Sequence, residues 1–190
     1  TNIHWPGKAR RLMLGPWILI VPPGRAPMQT RTIVPIPPEA WEQLLRLNND
    51  RETETSYLTA EAWHRLVEHA FHAVMVDDAS GFLIALDQGA PYANPNHGWF
   101  RARYDRFVYV DRVVVAPAAR RRGLARQLYE DLFRHAREVG HDVVTCEINA
   151  EPPNPASDAL HAALGFREVG ARDMPERGKR VRYMARSLAA

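Results

Sequence analysis

Apolar positions along the chain switch between a spacing of two and a spacing of three to four, and the switches divide it into elements. Residues 31–36 are few and β-branched, which predicts a strand. After Pro37-Pro38, Trp41, Leu44, Leu45 and Leu47 recur at helical spacing, predicting a helix over 39–47. Thr59-Ala60-Glu61-Ala62 comes close to a capping box, and Trp63, Leu66, Val67 and Ala70 follow it as the stripe of a second helix. Residues 73–76 and 82–86 flank Asp77-Asp78-Ala79-Ser80-Gly81, the pattern of a β-hairpin. Residues 88–106 are rich in Pro, Asn, Gly and aromatics and read as one long loop; loops of that length in a compact domain often carry function.

The second half is more regular. Residues 107–115 form the strongest predicted strand. A helix is expected over 121–139, with Ala125, Leu128, Leu132, Ala136 and Val139 on one stripe and Gly140 as its C-terminal cap. Residues 141–149 read as a further strand. Pro152, Pro153 and Pro155 interrupt the chain before a short helix over 157–164 that Gly165 stops. Two closing strands, 166–171 and 179–186, flank a turn at 175–178. This order of strand, helices, hairpin, strand, helix, strand, helix and hairpin makes the fold class mixed α/β.

A length of 190 residues suits one domain with a full core. The one cysteine, Cys146, excludes an intramolecular disulfide framework and fits a reducing, cytoplasmic setting. The net charge of +3 invites a nucleic-acid reading until its position is considered. Lys8, Arg10, Arg11 and Arg25 stand in residues 1–27 with no acidic residue, so the remainder, from Met28 on, is close to neutral. We therefore expect neither a nucleic-acid partner nor a membrane surface. The apolar run 12–21 is broken by Gly15 and Pro16 and is about half of the roughly 20 residues of a membrane span. We expect Met28 to be the natural start, with 1–27 a leader or upstream extension outside the domain at 28–190.

The most informative segment is Val113-Val114-Val115-Ala116-Pro117-Ala118-Ala119-Arg120-Arg121-Arg122-Gly123-Leu124-Ala125. A buried strand runs into a proline turn and then a helix start, where unpaired N–H groups and the helix dipole favour phosphate. Gly123 removes the side chain where a ligand must approach the backbone, Ala125 keeps the next position small, and Arg120, Arg121 and Arg122 add positive charge. The pattern is neither a Walker loop nor a dinucleotide fingerprint. Arg-x-x-Gly-x-Ala resembles the acyl-coenzyme A signature of the GCN5-related N-acetyltransferases (GNAT). Downstream, Asn154-Pro-Ala-Ser157-Asp-Ala-Leu160-His161-Ala-Ala-Leu164-Gly165-Phe166 resembles the same family's closing motif. Together the two cover about residues 107–170. Three phrases, at 109–115, 146–149 and 152–158, further resemble a subgroup of predicted acetyltransferases with no known substrate.

The resemblance implies a GNAT fold, with a central mixed sheet splayed between its fourth and fifth strands and helices on both faces. It implies acetyl-coenzyme A as co-substrate and no metal. The backbone of Val113, Val114 and Val115 would hold the pantetheine arm and supply an oxyanion donor. Arg120, Arg121, Arg122, Gly123, Leu124 and Ala125 would cradle the pyrophosphate, and Asn154 and His161 would touch the coenzyme. Where the family commonly has an acidic tyrosine, this chain has His161, which can act as general acid or simply line the coenzyme. Glu147 and Asp111 are candidate bases, Asp111 more naturally a structural partner of Arg112. Tyr109 and Cys146 suit packing better than chemistry. Tyr92, Asn96, Trp99 and Phe100, in the aromatic segment, are expected to shape a pocket for the acceptor, an amine on a small molecule or a peptide. A homodimer is left open. The rival readings are a non-catalytic acyl-coenzyme A sensor and a nucleic-acid binder led by the basic leader.

Overall fold

A computed structural model describes residues 31–51, 55–175 and 178–189. The leader at 1–27 and the proposed start at Met28 lie outside the described residues. Seven strands form one sheet in the order β1-β2-β3-β4-β5-β7-β6. They are β1 Ile33–Pro35, β2 His72–Val76, β3 Gly81–Asp87, β4 Val108–Val115, β5 Val143–Glu151, β6 Arg167–Met174 and β7 Lys179–Ser187. The helices are α1 Trp41–Asn49, α2 Ala60–Glu68, α3 Pro95–Arg101, α4 Leu124–Val139 and α5 Pro155–Ala163. Thr59 caps α2 as expected, its hydroxyl accepting from the Ala62 N–H at 3.2 Å.

Strand alternation sorts the core onto two faces. Phe82, Ile84 and Leu86 of β3 pack with Leu44 and Trp63 of the N-terminal helices and with Phe100, Tyr109 and Tyr183. Leu83 and Ala85, on the other face, pack with Leu128, Leu132 and Ala136 of α4 and with Val144, Cys146 and Phe166. The helices thus lie on both faces of the sheet, as the GNAT resemblance implies.

All neighbouring strands are antiparallel except β4 and β5, which pair in parallel from Val108↔Val144 to Val110↔Cys146. Beyond Val110 this pairing ends, although β4 runs on to Val115 and β5 to Glu151. The sheet is therefore splayed between its fourth and fifth strands, and the edge of β4 from Asp111 to Val115 faces a gap. Just there β4 carries a bulge against β3: Ile84 faces Arg112 and Ala85 faces Val110, leaving Asp111 unmatched.

Two expectations are corrected. The segment 88–106 is not one loop, because α3 occupies its middle. Asn94 caps that helix, its side chain accepting from the Asn96 N–H at 2.8 Å, and Pro95 takes the first turn, where a missing N–H costs nothing. Nor does the next helix begin at Arg121. Pro117–Ala119 is a turn of 3₁₀ helix, Arg121 and Gly123 adopt left-handed φ values of 61° and 79°, and α4 starts only at Leu124. The three arginines therefore sit in the turn ahead of the helix.

Candidate active site

Two cavities open at the splay. The larger, about 470 Å³, is lined by Val113, Val114 and Val115 of β4, by Arg120, Arg121, Gly123, Leu124 and Ala125, and by Asn154, Leu160 and His161 near α5. The segment matching the acyl-coenzyme A signature thus lines one cleft together with the segment matching the closing motif. Arg122, exposed in the same turn, is not among its lining residues. Gly123 is the N-cap of α4 and offers no side-chain acceptor to the first N–H groups of the helix, the groups that suit an anion. A Cβ at Gly123 would meet nothing within 4 Å, which leaves room over the helix start for a bulky anion. Open space, the N–H groups of the helix start and the arginines Arg120 and Arg121 of the turn, with Arg51 and Arg126 also lining the cleft, fit a pyrophosphate.

The smaller cavity, about 140 Å³, is lined mainly by polar groups, among them Asn96, Asp111, Glu147, Asn149 and Lys179. It shares Thr55, Val113, Asn154, Ser157 and His161 with the larger one, so the two meet at the splay. Glu147 is its central acid. Tyr109 donates its hydroxyl to Oε2 of Glu147 at 2.5 Å, and Asn96 donates Nδ2–H to Oε1 at 3.0 Å. Asn96 in turn accepts from the Tyr183 hydroxyl at 2.9 Å, which fixes the amide orientation. Burial pushes the Glu147 carboxyl up to about 7; the bonds from Tyr109 and Asn96 oppose the rise and the nearby Asp111 adds to it. Tyr109, fully buried beside this carboxylate, is held protonated well above the ordinary phenol range and so remains a donor.

Asp111 is structural, as the sequence suggests. Its side chain is 3% exposed and accepts from Arg112 Nε at 2.6 Å and from the Tyr92 hydroxyl at 2.5 Å. Arg112 passes the link on, donating Nη1–H to Asn48 of α1 at 2.8 Å, and Asn48 holds the Ser56 carbonyl at 3.1 Å. A buried ion pair therefore ties the bulge to the segment that brings Thr55 and Ser56 to the cavity wall.

His161 is buried at the junction with both ring nitrogens engaged. Nδ1 lies 2.7 Å from the Ser157 carbonyl, an acceptor only, so Nδ1 carries the proton. Nε2 then accepts from the Tyr129 hydroxyl at 2.8 Å. Burial lowers the His161 pKa, with the Ser157 carbonyl and Asp158 opposing in part, so the ring is neutral at physiological pH. Tyr129 is the residue that the sequence reading missed. It stands in the apolar stripe of α4, and only the tertiary packing brings its hydroxyl to the site. Cys146, 2% exposed with burial raising its thiol, has no activating cation among the described residues and packs in the core.

Of the four residues expected to shape the acceptor pocket, Asn96 lines the cavity. Tyr92 reaches it through its bond to Asp111. Trp99 stacks on Tyr183 at 4.3 Å, the Arg103 guanidinium lies over the Trp99 ring at 3.8 Å, and Phe100 is fully buried in the core. These last two build the wall behind the site and are not among the residues lining either cavity.

A splayed mixed sheet whose gap joins an anion cradle to a carboxylate-bearing pocket defines an acyl-coenzyme A-dependent transferase. The chain belongs to the acetyltransferase (GNAT) family, whose model matches residues 41–166. It is accordingly an acetyl-coenzyme A-dependent acetyltransferase. None of the curated proteins matches its sequence. Among solved structures it is similar to the ribosomal-protein-alanine N-acetyltransferase of Brucella melitensis, with 24% identity, 82% of this chain and 99% of that one covered, and a TM-score of 0.64. The ribosomal-protein-S18-alanine N-acetyltransferase of Escherichia coli matches with 16% identity, 84% and 95% covered, and a TM-score of 0.62. The yncA protein of Salmonella typhimurium, solved with its cofactor acetyl-CoA, matches with 18% identity, 84% and 95% covered, and a TM-score of 0.63. Among the described residues no helix is long and apolar enough to cross a membrane.

Proposed function

We propose that the protein transfers an acetyl group directly from acetyl-coenzyme A to an unhindered primary amine, on a peptide or a small molecule, with Glu147 as general base. The observation that carries this reading is the Glu147 carboxyl. It titrates near neutrality in a small polar cavity that opens onto the coenzyme cleft. A base works best when its pKa lies near the operating pH, and an amine is a nucleophile only after losing its proton. Glu147 accepts that proton while Tyr109 and Asn96 hold both carboxylate oxygens in place. The unpaired edge of β4 at Val113 to Val115 supplies backbone donors to the thioester that acetyl-coenzyme A brings. Arg120, Arg121 and Gly123 to Ala125 hold the pyrophosphate end, with Arg122 adding field from the same turn, and Asn154 and His161 line the arm. The narrowness of the cavity supports an amine presented at the end of a chain. The Brucella and Escherichia coli enzymes are ribosomal-protein-alanine N-acetyltransferases, which supports a peptide α-amine as the first acceptor to try.

The test is acetyl transfer to a panel of N-terminal peptides and small diamines by the wild type and Glu147→Gln. The expected result is a fall in kcat of about 10²–10⁴-fold with coenzyme affinity retained, the range general-base catalysis supplies. An unchanged kcat in the variant moves the base elsewhere. Coenzyme binding with no turnover on any amine returns the protein to the sensor alternative.

A further inference from the structure

The flank of α4 carries a further charged cavity, beyond the residues assigned to the transfer itself. Arg126, Glu130, Phe133 and Arg137 recur at helical spacing along one stripe of α4. Arg186 of β7 and the corner Ala163–Leu164 close a space of about 280 Å³ against them. Three guanidinium groups and one carboxylate meet there, leaving two positive charges unmatched. Glu130 lies 3.6 Å from Arg126. Arg137 is fixed by backbone, donating Nε–H to the Leu188 carbonyl at 3.2 Å and Nη1–H to the Phe133 carbonyl at 3.5 Å. Arg186 lies over the Phe133 ring at 3.9 Å, and among the described residues it has no acidic partner within ion-pair distance. Burial, and after it the neighbouring Arg137, pull its pKa down, with Glu130 opposing in part.

Keeping like charges together around a cavity costs free energy that a bound anion relieves, and planar guanidinium forks match the oxygens of phosphate. We infer that this cavity binds a phosphate monoester, whose two charges equal the unmatched pair and whose organic group the remaining volume admits. Arg126 also lines the coenzyme cleft, so the phosphate can come from the far end of the coenzyme or from a separate molecule.

The test is thermal unfolding of the full chain titrated with inorganic phosphate against chloride at matched ionic strength. Because phosphate also suits the turn before α4, the titration is made in Gly123→Glu as well as in the wild type. A saturable rise in Tm that survives Gly123→Glu and is lost in Arg137→Gln/Arg186→Gln supports the site. The single variant Arg186→Gln, which leaves the backbone bonds of Arg137 in place, serves if the double variant unfolds. An equal rise in the arginine variants, or none beyond that with chloride, overturns it. Comparing coenzyme A with its 3′-dephospho form then assigns the source. A preference for the 3′-phosphate that vanishes in Arg186→Gln names the coenzyme, and an affinity indifferent to both names a separate phosphorylated ligand.

Discussion

The two cavities that meet at the splay are built in opposite ways. The coenzyme cleft is lined mainly by two short stretches of chain, between Val113 and Arg126 and between Asn154 and His161, with Arg51 and Thr55 beside them, and the ligand contacts proposed for it are backbone N–H groups. The acceptor cavity is made of side chains that the sheet brings together from afar: Glu147 is bonded by Asn96, 51 residues away, and by Tyr109, 38 residues away. A backbone site depends on one conformation and tolerates changes in its neighbours. A side-chain site depends on every partner, because each polar group lost leaves another buried and unsatisfied. The cleft should therefore fail locally, in binding, and the acceptor cavity should fail globally, in stability as well as rate.

The sharpest break in that contrast is Arg112→Met. It leaves Asp111 buried beside the Tyr92 hydroxyl without its cation, a loss of about 3–5 kcal/mol for one half of a buried pair. The expected outcome is a large fall in the urea midpoint, and Asp111→Asn/Arg112→Met together should recover part of it. A single variant as stable as the wild type would mean that water reaches the pair. On the cleft side, Gly123→Glu should raise the Kd for acetyl-coenzyme A by about 100-fold or more, since a carboxylate placed among phosphate-binding N–H groups repels the ligand. Its fold should survive, because the new side chain meets open space and only the left-handed φ of 79° is strained, by about 1–2 kcal/mol. Gly123→Ala carries the same strain without the charge and should bind nearly normally; equal losses in both would place the effect on backbone conformation alone.

The same division governs what the sequence makes legible. Arg120 to Ala125 and Asn154 to Phe166 can be read because their geometry is local: spacing sets the turn, the helix start and the small residues together. The splay is not visible in local patterning and entered only through the family resemblance. The bulge that frees Asp111 depends on register against β3, and the Tyr109–Glu147–Asn96 network joins three elements, β4, β5 and α3. Tyr129 looks like one more position of an apolar stripe until α5 places His161 within 2.8 Å. Helix α3 could have been found, since Asn94-Pro95 is a cap followed by a proline in the first turn. Gly98 and the brevity of the helix masked that signal among loop-forming residues.

Glu147 sharpens the comparison further by setting function against stability. In the folded protein its carboxyl keeps its proton until about pH 7, whereas its ordinary value is 4.5. Between those values the folded state binds more protons than the unfolded one, so stability falls as pH rises through the window and then levels off. Glu147→Gln removes this effect; its amide oxygen can accept from Asn96 as before, and its NH2 can donate to the Tyr109 hydroxyl oxygen in place of the bond that Tyr109 donated. It should raise stability at pH 8 by on the order of 1–3 kcal/mol and change little near pH 4.5. The wild-type kcat/KM should climb through about pH 7 as the base ionises, and the same limb should be missing from the residual rate of the variant.

The smallest effect is expected where the two cavities touch. An acid for the departing thiolate must hold a proton it can give up, yet the His161 ring is neutral, its Nδ1–H points at the Ser157 carbonyl and its Nε2 is occupied by Tyr129. Tyr129, fully buried with a strongly raised pKa, is a poor source for replacing that proton. On the function proposed above, we therefore read His161 as a wall beside the coenzyme arm. His161→Phe should weaken coenzyme binding several-fold and change kcat by less than about tenfold, below the range expected on losing a general acid. A fall of about 100-fold or more in kcat at unchanged coenzyme affinity would reverse the assignment and make the Tyr129–His161 pair the route by which the proton leaves the core.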